Sequence, residues 1–159
     1  MTRVKIEYPE KTIYSLETRI RISDLSAAHH LGFDSLVGIL NDASAAFFKE
    51  NGIVRGSRQG AGVIYTDLSV NYLGEAFYGE TLEIEISAGP LGSKGFDLFF
   101  RVSRTEEKKI VAVAQIGVLF FDYQSRRPTD IPAEFRLKMK KLWKAVDGKP
   151  NEREGSPSH

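Results

Sequence analysis

Four side chains capable of acid–base chemistry fall in one stretch: Asp24, His29, His30 and Asp34, within Ser23-Asp24-Leu25-Ser26-Ala27-Ala28-His29-His30-Leu31-Gly32-Phe33-Asp34-Ser35-Leu36. A carboxylate can orient or activate a water molecule, and a histidine can share that work. The same residue types also have quieter uses. Asp34 or Ser35 can cap a helix that starts here, and Asp24 can accept hydrogen bonds within a turn. His29 and His30 are neighbours, so on an extended or turning backbone their rings diverge, and either can simply pack in the loop. No third ligand stands at metal spacing, so neither a metal site nor a cofactor is expected.

The surrounding elements must position these groups. Downstream, Leu36, Leu40, Ala43 and Phe47 recur every three or four residues, with Ile39 and Ala46 beside them. That spacing predicts a helix of about four turns, stopped by Asn51-Gly52. Apart from Asn41, Asp42, Lys49 and Glu50 it carries little charge, so it is expected to be buried on most sides. Upstream, Tyr14, Leu16, Thr18, Ile20 and Ile22 alternate with polar residues to Ser23, the period of a half-buried strand.

From Gly62 to Tyr123 the pattern is one of strands. Ile64, Thr66, Leu68, Val70 and Tyr72 alternate, a turn follows near Tyr78-Gly79-Glu80, and Leu82, Ile84 and Ile86 form the next run. Phe96, Leu98, Phe100 and Val102 form a fourth strand after a Gly-rich loop, and the nearly continuous apolar run Ile110 to Phe121 suits a central strand buried on both faces. Pro132 can open a last helix with Phe135, Met139, Leu142 and Val146 on one stripe. The layout is α+β, one long helix against an antiparallel sheet of five strands, with a short C-terminal helix. Residues 1–12 read as an N-terminal extension, 13–146 as the domain, and 147–159 as a disordered tail.

The bulk numbers narrow the function classes. Twenty-two Lys plus Arg against twenty-one Asp plus Glu give a net charge of +1, so no global field attracts nucleic acid or an anionic membrane. The absence of cysteine removes disulfides, thiol nucleophiles and cysteine-based zinc sites. No apolar run reaches the ~20 residues of a membrane span, and Met1 to Lys11 lacks the apolar core of a signal peptide, so a cytoplasmic protein is expected. One helix against one sheet leaves a face and two edges to manage, and pairing with a second copy, as a dimer or a dimer of dimers, is the expected solution.

Between Ile13 and Leu142 the chain resembles the hotdog-fold acyl-CoA thioesterases related to 4-hydroxybenzoyl-CoA thioesterase. Ser23 and Asp24 match the start of that family's loop, Ser-Asp-x-Asp-x-x-Gly-His-hydrophobic-Asn, and His30-Leu31 match its His-hydrophobic pair. A branch reading His-Leu-Gly-Asn-Asp is closer, with His30, Leu31, Gly32 and Asp34 in register. Val70-Asn71-Tyr72-Leu73-Gly74-Glu75-Ala76 and Tyr78-Gly79-Glu80 look like the family's stretch between its second and third strands. Two positions depart: the family's second Asp is Ser26 here, and the Asn before Asp34 is Phe33.

The resemblance implies a sheet wrapped around the central helix and hydrolysis of an acyl-CoA. Water or a carboxylate must attack the carbonyl carbon while donors meet the developing oxyanion. The backbone N–H groups of Phe33 to Ser35 at a helix N-terminus are the candidate donors, with Gly32 permitting close approach. Asp34 is then the first candidate for the carboxylate, Asp24 the weaker one, and His30 the group that orients water or thioester. Asp42 is a minor candidate on the helix. Lys94, Arg101 and Arg104 are candidates for the phosphates, and Tyr72 and Tyr78 for the acyl pocket. Two other functions compete. A non-catalytic acyl-CoA-binding protein fits Ser26 in place of the usual carboxylate, and an enoyl-thioester hydratase fits the spacing of Asp24 and His29, though its Asn and Pro are Ser26 and Ala27 here.

Overall fold

The computed structural model describes residue 1, residues 3–53 and residues 61–147. Beyond Asp147 the expected tail lies outside the described residues. The chain runs β1 (Tyr14–Arg19), α1 (Phe33–Glu50), β2 (Ala61–Tyr72), β3 (Thr81–Ala88), β4 (Gly95–Arg104), β5 (Lys109–Asp122), β6 (Arg127–Pro128) and α2 (Ala133–Asp147), with one 3-10 turn at Ile22–Asp24. The strands pair antiparallel in the order β1-β3-β4-β5-β2, and the two-residue β6, which carries no sequence signal, adds to β5. The connection through α1 therefore links the two opposite edges of the sheet.

Alternation sorts β3 and β4, while β2 does not keep it. Leu82, Ile84 and Ile86 of β3, Leu98, Phe100 and Val102 of β4, and Ala112, Ala114 and Phe120 of β5 are buried and share one core with Leu36, Leu40, Ala43, Phe47 and Phe48 of α1. Each large apolar side chain removed from water there contributes about 1.5–3 kcal/mol. At the far end of α1, Phe135 of α2 lies 6.0 Å from Phe48, 5.7 Å from Phe96 and 5.3 Å from Phe120, centroid to centroid. This aromatic cluster is what holds the C-terminal helix to the domain.

Three expectations need correction. Alternation ran to Ser23, yet β1 ends at Arg19, because the Arg21 N–H donates to Asp24 Oδ2 at 2.8 Å and the chain turns there. The helix begins at Phe33 and spans 18 residues; its N-cap is Gly32, so neither Asp34 nor Ser35 caps it. Nor is it buried on most sides, since Asp34, Gly38, Asn41, Asp42, Lys49 and Glu50 leave an exposed stripe.

The central apolar run behaves as its sequence suggests: β5 lies between β4 and β2, with Val111 and Val113 buried on the outer face. The N-terminal extension crosses that face. Ser87 Oγ donates to the Lys11 carbonyl, the Arg101 guanidinium sits 4.4 Å over the Tyr8 ring, and Ile6 is buried where the arm reaches Asn71. In β2 the register shifts between Tyr65 and Asp67; the Asp67 carboxylate folds onto the sheet and accepts the Gly117 N–H at 3.0 Å. A Cβ at Gly117 would run into Thr66 Oγ1 and stand 2.9 Å from Asp67 Oδ1, so a side chain at that position would have to displace both.

The aromatic cluster gives a stability prediction. Phe135→Ala is expected to cost about 3–5 kcal/mol in urea unfolding. The exposed Leu137→Ala on the same helix should stay within about 0.5 kcal/mol.

Candidate active site at the N-terminus of the central helix

The loop between β1 and α1 closes on itself before it delivers the helix. Leu25 and Leu31 bridge antiparallel, the Ser26 N–H donates to the His30 carbonyl at 2.8 Å, and the Gly32 N–H donates to the Asp24 carbonyl at 2.9 Å. The Leu31 N–H donates to the Ala76 carbonyl at 2.8 Å, which pins the helix start to the segment after β2. His29 sits exposed at the tip with φ 62°, a left-handed backbone that L-residues seldom adopt.

Asp24 is 6% exposed. Its carboxylate is engaged by the Arg21 N–H and by the Arg21 guanidinium at 3.3 Å, which holds the turn. No hydrogen bond or ion pair joins Asp24 to His29. His30 is half-buried, with Nδ1 3.0 Å from the Leu31 carbonyl. A carbonyl only accepts, so Nδ1 carries the hydrogen and Nε2 is the acceptor. Ser26 Oγ is used locally, accepting the Ala28 N–H at 3.2 Å.

At the helix start the first intrahelical bond runs from the Leu36 N–H to the Gly32 carbonyl at 3.0 Å. The N–H groups of Phe33, Asp34 and Ser35 therefore lack a backbone partner and carry the positive end of the helix dipole. Asp34 is exposed, and its carboxylate folds back over Gly32: a Cβ built there would lie 2.7 Å from Asp34 Oδ1. Gly32 has an ordinary φ of −71°, and the one close neighbour a Cβ would meet is that exposed carboxylate, so the glycine leaves Asp34 its place over the loop without being demanded by the backbone. Tyr72, at the end of β2, donates its hydroxyl to the Phe33 carbonyl at 2.9 Å. Burial first, and then the nearby Asp34 charge, raise the Tyr72 phenol above its ordinary value near 10. Asp34, Tyr72 and the free amides thus form one neighbourhood.

Two grooves flank it along β2. One, of about 420 Å³, runs between α1 and β2 and is lined by Val37, Gly38, Asn41, Tyr65, Leu68 and Ile116, among others. A Cβ at Gly38 would meet nothing within 4 Å, so this mid-helix glycine keeps the groove wide. On its wall, Tyr65 Oη and the buried Ser44 Oγ share a hydrogen bond of 2.6 Å. The second groove, of about 680 Å³, lies between Ser69–Leu73 and Arg3, Val4 and Lys5. Apart from Tyr72, the sequence did not single out these walls, although a glycine inside a helical pattern was an available signal.

Other candidates lie elsewhere. Lys94 precedes β4 at the end of the sheet where Phe96 meets Phe48, near the C-terminus of α1 and so most of a helix length from Asp34, and pairs with Asp130 at 2.7 Å. Arg101 is on the outer face, held by Glu85 at 2.6 Å, and Arg104 pairs with Glu80 and Glu107. Asp42 is exposed on α1, and Tyr78 is exposed in the turn before β3. Among the described residues no group of side chains could hold a metal ion, and no helix is long and apolar enough to cross a membrane.

A family profile described as the thioesterase-like superfamily matches residues 20–139. No curated protein sequence matches the chain. Among solved structures, a 1,4-dihydroxy-2-naphthoyl-CoA thioesterase from Synechocystis is similar at 14% identity and TM-score 0.74, over 81% of this chain and 96% of that one. A Staphylococcus aureus protein in complex with CoA is similar at 13% identity and TM-score 0.78, over 98% and 99% of the two chains. A thioesterase-superfamily protein from Jannaschia sp. CCS1 follows at 16% identity and TM-score 0.76, over 84% and 85%. With the matched profile running from the end of β1 to the middle of α2, over most of the chain, the chain belongs to the thioesterase-like superfamily and has its hotdog fold.

Proposed function

We propose that this protein is an acyl-CoA thioesterase, hydrolysing an acyl-CoA to the free acid and coenzyme A. The observation that carries this is the Asp34 carboxylate lying over Gly32, beside the three unpaired amides of α1 and within electrostatic reach of Tyr72. The resemblance to a CoA thioesterase and to a protein crystallised with CoA supports the substrate class.

In this mechanism Asp34 takes a proton from a bound water as the water oxygen bonds to the thioester carbonyl carbon. The carbonyl oxygen gains negative charge and is met by the N–H groups of Phe33, Asp34 and Ser35, aimed by the helix start. When the carbonyl re-forms, the carbon–sulfur bond breaks and the coenzyme A thiolate leaves, taking the proton back from Asp34. His30 orients the water through Nε2. Tyr72 holds the Phe33 carbonyl and so fixes the direction of the donors. The groove between α1 and β2 takes the acyl group. Asp24 holds the loop, and the paired Lys94 and Arg101 have no part within one protomer.

A second copy completes the protein. The twelve residues of β2 end the sheet with one edge unpaired among the described residues, and Leu68, Tyr72 and Leu73 remain exposed along it. Such an edge is suited to strand addition by another chain. We therefore propose a homodimer, or a dimer of dimers, joined along β2.

The first test is release of coenzyme A from a panel of aliphatic and aromatic acyl-CoAs. Asp34→Asn and Asp34→Ala should each lower kcat by roughly 10²-fold or more at unchanged fold, the scale of a lost acid–base group. Turnover retained in both would remove Asp34 from the chemistry, and a wild type that binds acyl-CoA without turnover would establish the non-catalytic alternative.

The phenol of Tyr72 offers a second test, by ¹³C-tyrosine NMR titration. It should titrate above its ordinary value near 10, and Asp34→Asn should lower it only in part, since burial is the larger cause. For linkage, an acid whose folded pKa is raised adds stability that is full below its unfolded pKa and is lost as pH rises through the folded one. A Tyr72→Phe protein should therefore show a shallower loss of stability above pH ~10.

Sedimentation should give at least twice the 17.8 kDa chain mass. Leu68→Lys should shift the equilibrium toward monomer.

A further inference from the structure

We propose that Arg3 and Lys5, carried by the N-terminal arm, form a phosphate-binding clasp for the nucleotide end of the acyl-CoA. This rests on the acyl-CoA reading above and extends it to residues outside the matched profile, which begins at residue 20.

Several described cations lack a carboxylate partner, and Arg3 and Lys5 are set apart from the rest by lining a groove that holds no acidic side chain. Arg21, Lys94, Arg101 and Arg104 are each matched to a carboxylate, at Asp24, Asp130, Glu85 and Glu80. Arg3 and Lys5 are exposed, have no carboxylate partner among the described residues, and line the 680 Å³ groove, whose lining includes no acidic side chain. The arm that carries them is built into the fold. Asn71 Oδ1 accepts the Ile6 N–H at 2.8 Å while Asn71 Nδ2 donates to the Val4 carbonyl at 2.9 Å, so one side-chain amide brackets the backbone of Lys5. Burial of Ile6 anchors the same point.

The groove also connects to the candidate active site through one residue. Tyr72 lines it and donates to the Phe33 carbonyl at the start of α1. A thioester with its carbonyl at the α1 amides and its acyl group toward Val37 and Leu68 has the groove past Tyr72 open to its other end. Coenzyme A carries a pyrophosphate and a ribose phosphate at that end. A guanidinium can engage phosphate oxygens bidentately and an ammonium acts as a compact point charge, so the pair suits a small, highly charged group. With a net charge of only +1, a local grip of this kind must supply what no global field does. An acidic carrier protein would need a broader basic surface than two side chains.

The experiment compares an acyl-CoA with the same acyl-pantetheine, which lacks the nucleotide phosphates, in the full-length protein. For Arg3→Ala/Lys5→Ala, the ratio of kcat/KM for acyl-CoA to kcat/KM for acyl-pantetheine should fall roughly tenfold, the scale of one lost charge-assisted hydrogen bond. Arg3→Lys/Lys5→Arg, which keeps both charges, should restore most of the ratio. Asn71→Ala should lower it with both cations intact, because their seat is lost. Isothermal titration with coenzyme A and with pantetheine gives the same comparison without turnover, so a protein that binds but does not hydrolyse defeats the thioesterase reading while still testing the clasp. An unchanged ratio overturns the proposal, as do equal losses for both ligands or a wild type without affinity for coenzyme A.

Discussion

The architecture depends on burial of the α1 apolar stripe against the inner face of the sheet. Leu36, Leu40, Ala43, Phe47 and Phe48 can leave water together only if β1 and β2 sit at opposite edges with α1 crossing between them. Once the helix lies there, its N-terminus must emerge beside the end of β2, where Tyr72 meets Phe33. The position of the unpaired amides is therefore a consequence of core packing. Hydrophobic burial, which has no directional preference, fixes a directional electrostatic feature through the rigidity of the helix.

The loop before α1 makes that position sharp. Its carboxylate at Asp24 is spent on the Arg21 turn, its serine at Ser26 on a local amide, and its backbone on the Leu25–Leu31 bridge. What remains free is Asp34, one residue into the helix, over a glycine that leaves it room. A polar group already satisfied by a fixed neighbour is a poor partner for a substrate, so the division of labour follows from which groups are engaged.

The same surface departs from the features that would maximise the stability of a lone chain. Gly38 sits inside a helix, where alanine would be favoured by about 1 kcal/mol, and no neighbour requires the missing Cβ. Leu68, Tyr72 and Leu73 stay exposed along a long edge strand. Local costs that packing within the chain does not explain concentrate where a ligand and a second copy are proposed to bind.

Sequence alone determined the period of most elements: alternation along β3 and β4, recurrence along α1, and the continuous apolar run of β5, because burial against one neighbour imposes a 2.0 or 3.6 repeat on the residues themselves. It also marked Asp34 and Gly32 at the loop-to-helix junction and Tyr72 at the end of a strand. Tertiary structure decided what those groups touch. Nothing local announces that Lys94 lies a helix length from Asp34, or that Asn71 fixes the arm bearing Arg3 and Lys5 across 65 positions of sequence. Charges pair with whatever the folded chain brings near, and that is set by the closure of the sheet around its helix, which no window of neighbouring residues contains.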